Sequence, residues 1–255
     1  MKTFHEMGLP ESLTHTLEHT MNFKEATPIQ AEAIPLALQG KDILGSARTG
    51  TGKTGAFAIP LIARLLTNPQ GSALIMTPTR ELAAQVRTQL QLMLGKKSNI
   101  KTALLIGGDP MPKQFSQLRN EPRIIVGTPG RINDHLKRGS LVLNETNFLV
   151  LDETDRMLDM GFTVQIENVM KYMAPQRQTL LFSATLPANI VRIADKYLNN
   201  PARVAVSATC APAANIKQNT VRMSKSEKYP HLLSELDERQ GSVIVFVKTK
   251  SDTEK

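Results

Sequence analysis

The most constraining feature of the sequence is the loop Ala47-Arg48-Thr49-Gly50-Thr51-Gly52-Lys53-Thr54. It follows an apolar run over 42–45 and leads straight into a helical stretch. Glycines and small residues let successive backbone N–H groups turn toward one anion, and the helix N-terminus adds its dipole. This is the pattern of a phosphate-binding loop, with Ala47 in the place of the first glycine. Lys53 is expected to reach the β- and γ-phosphates of a nucleotide, and the Thr54 hydroxyl to ligate Mg2+. The plainer alternative is a glycine/threonine turn before an ordinary helix.

Short apolar runs alternate with amphipathic stretches along the chain. Strands are expected at 42–45, 72–77, 101–106, 123–127, 148–151, 178–183 and 203–206, with helices between them, among them 80–94, 130–138 and 188–198. Strand and helix repeating every ~25 to 30 residues implies right-handed crossovers. The fold expected is therefore α/β, a mostly parallel, doubly wound sheet. Residues 205–215 are small and uncharged and read as a linker or loose loop. Beyond them a polar strand (216–223), a helix (225–238) and an apolar strand (242–247) are expected. This last stretch looks like the opening of a second domain. The division expected is 1–207, a linker at 208–216, and 217–255.

A second candidate centre follows the buried-type run Phe148 to Leu151, which leads into Asp152-Glu153-Thr154-Asp155. Opposite a phosphate loop, an aspartate at the end of such a strand holds Mg2+, often through water. Glu153 is then placed to polarise an attacking water. Taken alone, the same acids would also serve as a helix N-cap and first turn.

With these residues in hand, the chain resembles the DEAD-box RNA helicases, a branch of superfamily 2, from about Phe4 to Lys250. Phe23-Lys-Glu-Ala-Thr-Pro-Ile-Gln30 is similar to the family's Q motif. The resemblance implies that Phe23 stacks on adenine, Gln30 reads its amino edge and Thr27 supports them; locally, Thr27 is equally a helix N-cap before Pro28. Residues 46–54 are similar to the first ATPase motif, and 152–155 stand where Asp-Glu-Ala-Asp is usual, with Thr154 a departure. Arg48 departs too, since the family often has a neutral or acidic residue there; it either touches phosphate or faces solvent. Ser183-Ala184-Thr185 matches the motif that, with Asp155, couples ATP to unwinding.

Three further segments match the family's RNA-binding motifs: Pro78-Thr79-Arg80 with the Glu-Leu-Ala that follows, Gly107-Gly108, and Thr128-Pro129-Gly130-Arg131. The resemblance implies two RecA-like domains with ATP, Mg2+ and an RNA single strand or duplex between them, the RNA held mainly by its sugar-phosphate backbone. It implies an RNA-dependent ATPase with Lys53, Asp152 and Glu153 catalytic. No His-Arg-x-Gly-Arg motif follows 242–247, so this chain is expected to turn over slowly alone. The alternative for it is a non-catalytic ATP- and RNA-binding fragment.

Composition agrees with a polyanion partner. The chain has 31 Lys and Arg against 23 Asp and Glu, a net charge of +8, and neutralising phosphates releases counterions. DNA and a metabolic P-loop kinase are alternatives; the Q-motif-like segment and the Thr-Pro-Gly-Arg turn argue against the kinase. Cys210 is the sole cysteine, which excludes an internal disulfide and a cysteine-based zinc cluster. No apolar stretch nears the ~20 residues of a membrane span, and the first eleven residues have no apolar signal-peptide core. A cytoplasmic monomer is expected.

Overall fold

The computed structural model describes residues 3–48, 50–96, 98–206, 217 and 219–249. The chain divides into two compact units, Met1–Thr209 and Cys210–Lys255.

The first unit is a sheet of seven strands flanked by helices. The strands are β1 (Ile43–Ser46), β2 (Ala73–Met76), β3 (Thr102–Leu105), β4 (Ile124–Gly127), β5 (Phe148–Leu151), β6 (Gln178–Ser183) and β7 (Ala202–Ala205). The helices are α1 (Glu11–His19), α2 (Pro28–Leu38), α3 (Lys53–Thr67), α4 (Arg80–Leu94), α5 (Met111–Arg119), α6 (Pro129–Lys137), α7 (Thr154–Asp159), α8 (Thr163–Met170) and α9 (Ala188–Tyr197), after a 3-10 turn at Phe4–Met7. The strand order is β3-β4-β2-β5-β6-β1-β7 and every pairing is parallel, where the sequence led us to expect a mostly parallel sheet.

Parallel strands covered on both faces need apolar side chains on both, and the alternation sorts them into two cores. Ile43, Ile75, Val126, Val150 and Phe182 face a cluster shared with α1 to α4. Their neighbours Leu44, Leu74, Ile125, Leu149 and Leu181 face a second cluster shared with α6, α8 and α9. Side chains tie the rim of this frame together. Buried Gln178 donates to Ala37 O and Lys41 O and accepts from Arg64 Nη1, while Asp42 accepts from the backbone N–H of Thr179 and Asn199. Arg123 donates to the carbonyls of Leu65, Asn68 and Gly71, which fixes the turn between α3 and β2.

In the second unit the described residues contain one helix, α10 (Lys228–Glu238), three residues shorter at its start than expected. The strand expected at 242–247 is not formed, and neither is one over the described part of 216–223. A strand is held by its ladder, and no partner strand occurs among the described residues of this unit. The apolar run stays open, with Phe246 91% exposed. The expected linker at 208–216 lies outside the described residues.

Candidate functional site

Because all seven strands are parallel, their C-terminal ends lie on one edge of the sheet, where open α/β folds gather ligands. The strand order divides that edge in two. The loops after β5, β6 and β1, which are adjacent, carry Asp152 to Asp155, Ser183 to Thr185 and the phosphate-loop sequence. The loops after β3, β4 and β2, also adjacent, carry Gly107-Gly108, Thr128 to Arg131 and Pro78 to Arg80. Residues far apart in sequence are thus sorted into two neighbouring groups by topology.

In the first group, Gly50 and Gly52 have φ of 84° and 94°, the left-handed region that glycine enters without a side-chain clash. Lys53 opens α3, is buried, and donates from Nζ to Ala47 O at 2.9 Å, so its ammonium lies within the curve of the loop. Thr54 is half-buried in the same first turn, and Arg48 is exposed. Thr49 lies outside the described residues. Gln30 is buried; its Nε2 donates to Gly52 O and its Oε1 accepts from Thr27 N, both at 3.0 Å. A Cβ on Gly52 would come within 2.6 Å of Gln30 Nε2 and 2.7 Å of Thr27 Oγ1, and one on Gly55 within 2.5 Å of Gln30 Nε2. A side chain at either glycine would push the Gln30 amide off its bonds to Gly52 O and Thr27 N. Phe23 is half-buried, its ring stacked on Phe4 with centroids 6.3 Å apart.

Asp152, at the end of β5, is 3% exposed and accepts from Glu153 N at 3.0 Å. Burial pushes its carboxyl up to about 7, against the pull of the nearby Lys53 ammonium and with a contribution from Glu153. Glu153 has φ 50° and ψ 50°, unusual for a residue with a side chain, and its carboxylate pairs with Arg156 at 3.3 Å. Asp155 Oδ2 accepts from Ala184 N, Thr185 N and Thr185 Oγ1 at 3.0–3.1 Å, which joins the end of β5 to the end of β6. Ala47 N donates to Ser183 O, closing the same circuit to the phosphate loop. Thr154 is fully buried and its hydroxyl lies 3.2 Å from both Leu151 O and Phe182 O, so the extra oxygen is satisfied.

One buried hydroxyl here, Ser183 Oγ, has no partner among the described residues, whereas Thr27 forms a capping box with Gln30 at the start of α2. An unmade bond at a buried hydroxyl costs about 1–3 kcal/mol. With the glycine loop and the buried Lys53 and Asp152, these residues fit a nucleotide and a hard cation. Among the described residues no cluster of three His, Cys, Asp or Glu could hold a metal by itself, so phosphate oxygens would have to complete the cation's shell.

The second group is built from turns and helix N-termini. Thr79 caps α4 by accepting from Leu82 N at 3.2 Å, and Thr128 precedes α6, whose first residue is Pro129. Exposed Arg80 lies against the glycine pair: a Cβ on Gly107 would sit 3.1 Å from its Nη2, and one on Gly108 2.6 Å from its Nη1. Arg131 is tethered rather than free, since Nη1 donates to Asp109 O at 3.1 Å and Nε lies 3.8 Å from the Asp134 carboxylate. Pro78, Thr79, Arg80, Gly107, Gly130 and Arg131 share a cavity of about 450 Å³, which Met160 and Phe162 from the turn between α7 and α8 also line. Those two apolar residues do not stand out from the sequence.

Known proteins give the same architecture. Residues 27–193 match the model of the DEAD/DEAH box helicase family. The chain is 43% identical over 252 residues to the DEAD-box ATP-dependent RNA helicase CshA of Geobacillus kaustophilus, covering 98% of this chain and 54% of that protein. The Bacillus subtilis protein described in the same words is 42% identical, with 97% and 50% covered. The chain thus spans about half the length of the curated relatives it matches. Among solved structures, a DEAD box protein from Methanococcus jannaschii superposes with a TM-score of 0.77 at 38% identity, covering 99% of this chain and 68% of that one. A hypothetical ATP-dependent RNA helicase from Sulfolobus tokodaii gives 0.72 at 34% identity, covering 78% and 57%. On these likenesses, the chain belongs to the DEAD/DEAH box helicases.

Proposed function

We propose that the chain is the nucleotide-binding part of an ATP-dependent RNA helicase, binding ATP on the loops after β5, β6 and β1 and a single RNA strand on those after β3, β4 and β2. The observation that carries the reading is the sorting of the candidate residues into two adjacent halves of one sheet edge. In this reading residues 1–207 form the first domain, 208–216 the linker, and 217–255 the opening of the second. A cytosolic setting suits a chain whose sole cysteine is Cys210. Among the described residues no helix is long and apolar enough to cross a membrane.

The roles follow from chemistry. Lys53 and the backbone N–H groups of the glycine loop stabilise negative charge on the phosphates, and Phe23, Thr27 and Gln30 select adenine. Mg2+, held by Thr54 and Asp152, would supply the charge that offsets what develops on the transferred phosphoryl group. Glu153 accepts a proton from the attacking water. Asp155 carries the state of the acidic turn to Ser183 and Thr185 through the three bonds it accepts. Arg80 and the N-termini of α4 and α6 contact phosphates without reading bases, which predicts weak sequence preference.

The test is direct binding by the 255-residue chain. A fluorescent ATP analogue with Mg2+ should be displaced by ATP far better than by GTP. A labelled single-stranded RNA should bind with an affinity that falls with salt, its logarithmic slope about 0.7 per phosphate engaged. Lys53→Ala should remove nucleotide binding and keep RNA binding. Nucleotide binding indifferent to that substitution would defeat the proposal.

A further inference from the structure

Behind the RNA-side loops lies a buried polar group outside every motif of the family resemblance. Gln114 on α5 has no exposed surface, and its Nε2 donates to two carbonyls, Ile106 O and Asp109 O, each at 3.0 Å. Those carbonyls flank the Gly107-Gly108 turn, so one amide spans the turn. Its Oε1 faces His135 Nε2 at 3.2 Å. His135 lies one helical turn after Arg131 on α6 and is also fully buried, its Nδ1 2.9 Å from Ser140 Oγ. The Phe115 ring closes over it edge-on, with centroids 5.5 Å apart.

The donors and acceptors in this group can be assigned. With Nε2 of Gln114 donating to two carbonyls, its Oε1 can only accept, so His135 carries its proton on Nε2. Nδ1 of the neutral ring then accepts from the Ser140 hydroxyl at 2.9 Å, with His135 O at 3.1 Å sharing that one proton as a second acceptor. Burial and the nearby Arg131 and Arg138 push the imidazole below its ordinary value, against Asp134, which agrees with a neutral ring. The outcome is a continuous buried path from α6 through His135 and Gln114 to both flanks of the glycine turn. Arg131 adds a second tie, to the same Asp109 carbonyl.

We propose that Gln114 and His135 are positioning residues for RNA, locking the Gly107-Gly108 turn to α6 so that both RNA-contacting loops present one preformed phosphate track. Neither side chain reaches the surface, so neither touches RNA; they act by removing freedom that binding would otherwise have to remove. A glycine pair without side chains to anchor it is the segment most in need of such a strut. The proposal rests on the RNA reading of these loops.

The experiment compares the 255-residue chain with Gln114→Leu, Gln114→Glu, His135→Leu and His135→Gln. Gln114→Glu keeps an acceptor for His135 but has no donor for the two carbonyls, and His135→Gln keeps a donor for Gln114. Backbone 15N relaxation at Gly107, Gly108 and Asp109 reads the lock itself. Order parameters near ~0.85 in the parent chain should fall below ~0.6 in the Gln114 variants and His135→Leu, and largely recover in His135→Gln. Single-stranded RNA affinity should fall ~ten-fold in step, with the salt slope reduced by about 0.7 for each phosphate no longer engaged, while affinity for the ATP analogue stays unchanged. Unaltered order parameters in a folded variant would overturn the lock. A loosened turn with parental RNA affinity would overturn its role in RNA binding. A parent chain with no salt-dependent RNA binding would remove the RNA reading instead, and the relaxation data would still decide whether the lock exists.

Discussion

Gly108→Ala should damage the protein in two separable ways, and the structure assigns a size to each. Gly108 has φ 85°, where a Cβ crowds the neighbouring carbonyl, at a cost of ~1–2 kcal/mol. For a domain of this size that lowers Tm by roughly 2–8 °C. The second effect falls on Arg80, because the new methyl would stand 2.6 Å from Nη1. A guanidinium at the end of a flexible side chain moves away cheaply, so the loss is of position rather than stability. Arg80 is exposed, and giving up one screened arginine–phosphate pair costs about 1 kcal/mol, or ~five-fold in RNA affinity, with the salt slope lower by about 0.7. Gly107→Ala is the internal control: it has no positive φ, and its Cβ would lie 3.1 Å from Nη2. It should leave Tm near the parent value and weaken RNA less. Urea or thermal unfolding and fluorescence anisotropy with single-stranded RNA, titrated over salt, give both readouts. Parental RNA affinity and slope in Gly108→Ala would refute the proposed contact of Arg80, as placed against the glycine pair, with an RNA phosphate.

The raised carboxyl of Asp152 makes stability depend on pH. Its folded pKa of about 7 lies above the 3.8 of the free side chain, so the folded state binds more protons between them. Stability is then fullest below about pH 4 and declines up to about 7, by at most about 4 kcal/mol in the nucleotide-free chain. Urea unfolding at several pH values should show a contribution from Asp152 that Asp152→Asn removes. Gln30→Ala deletes the bonds to Gly52 O and Thr27 N and should weaken ATP far more than GTP; equal loss for both would leave Gln30 as a support for the loop and not a reader of adenine. Thr154→Ala removes one buried hydroxyl that lies 3.2 Å from Leu151 O and Phe182 O. It should cost about 0.5–1.5 kcal/mol in unfolding experiments and leave nucleotide affinity unchanged.

The frame of the fold is legible in the sequence because it rests on local signals. Phe148 to Leu151 is apolar, short and bounded by Asn147 and Asp152, and Gln178 to Ser183 holds the apolar centre Leu180-Leu181-Phe182, which specifies buried strands wherever they end up in the sheet. The phosphate loop is legible for the same reason, since its glycines, Lys53 and Thr54 are contiguous. Pairing is where local reading fails. The run 242–247 has strand composition but no ladder partner among the described residues, so composition alone does not make it a strand. Long-range side-chain chemistry is equally hidden. Nothing in the sequence singles out Gln114 or His135, 21 residues apart, and nothing shows that Arg80 lies on the glycine pair or that Arg131 turns to Asp109. These arrangements follow from the parallel sheet bringing β2, β3 and β4 side by side.

The measurement that bears most directly on the account is a map of ligand protection on the 255-residue chain, by amide exchange or NMR shift perturbation. The account predicts that a non-hydrolysable ATP analogue with Mg2+ perturbs 47–54, Thr27 to Gln30 and 152–155. Single-stranded RNA should perturb 78–80, 107–108 and 128–131 instead. Two footprints that coincide, or an RNA footprint away from the β3-β4-β2 end of the edge, would contradict the division of the sheet into a nucleotide half and a strand half.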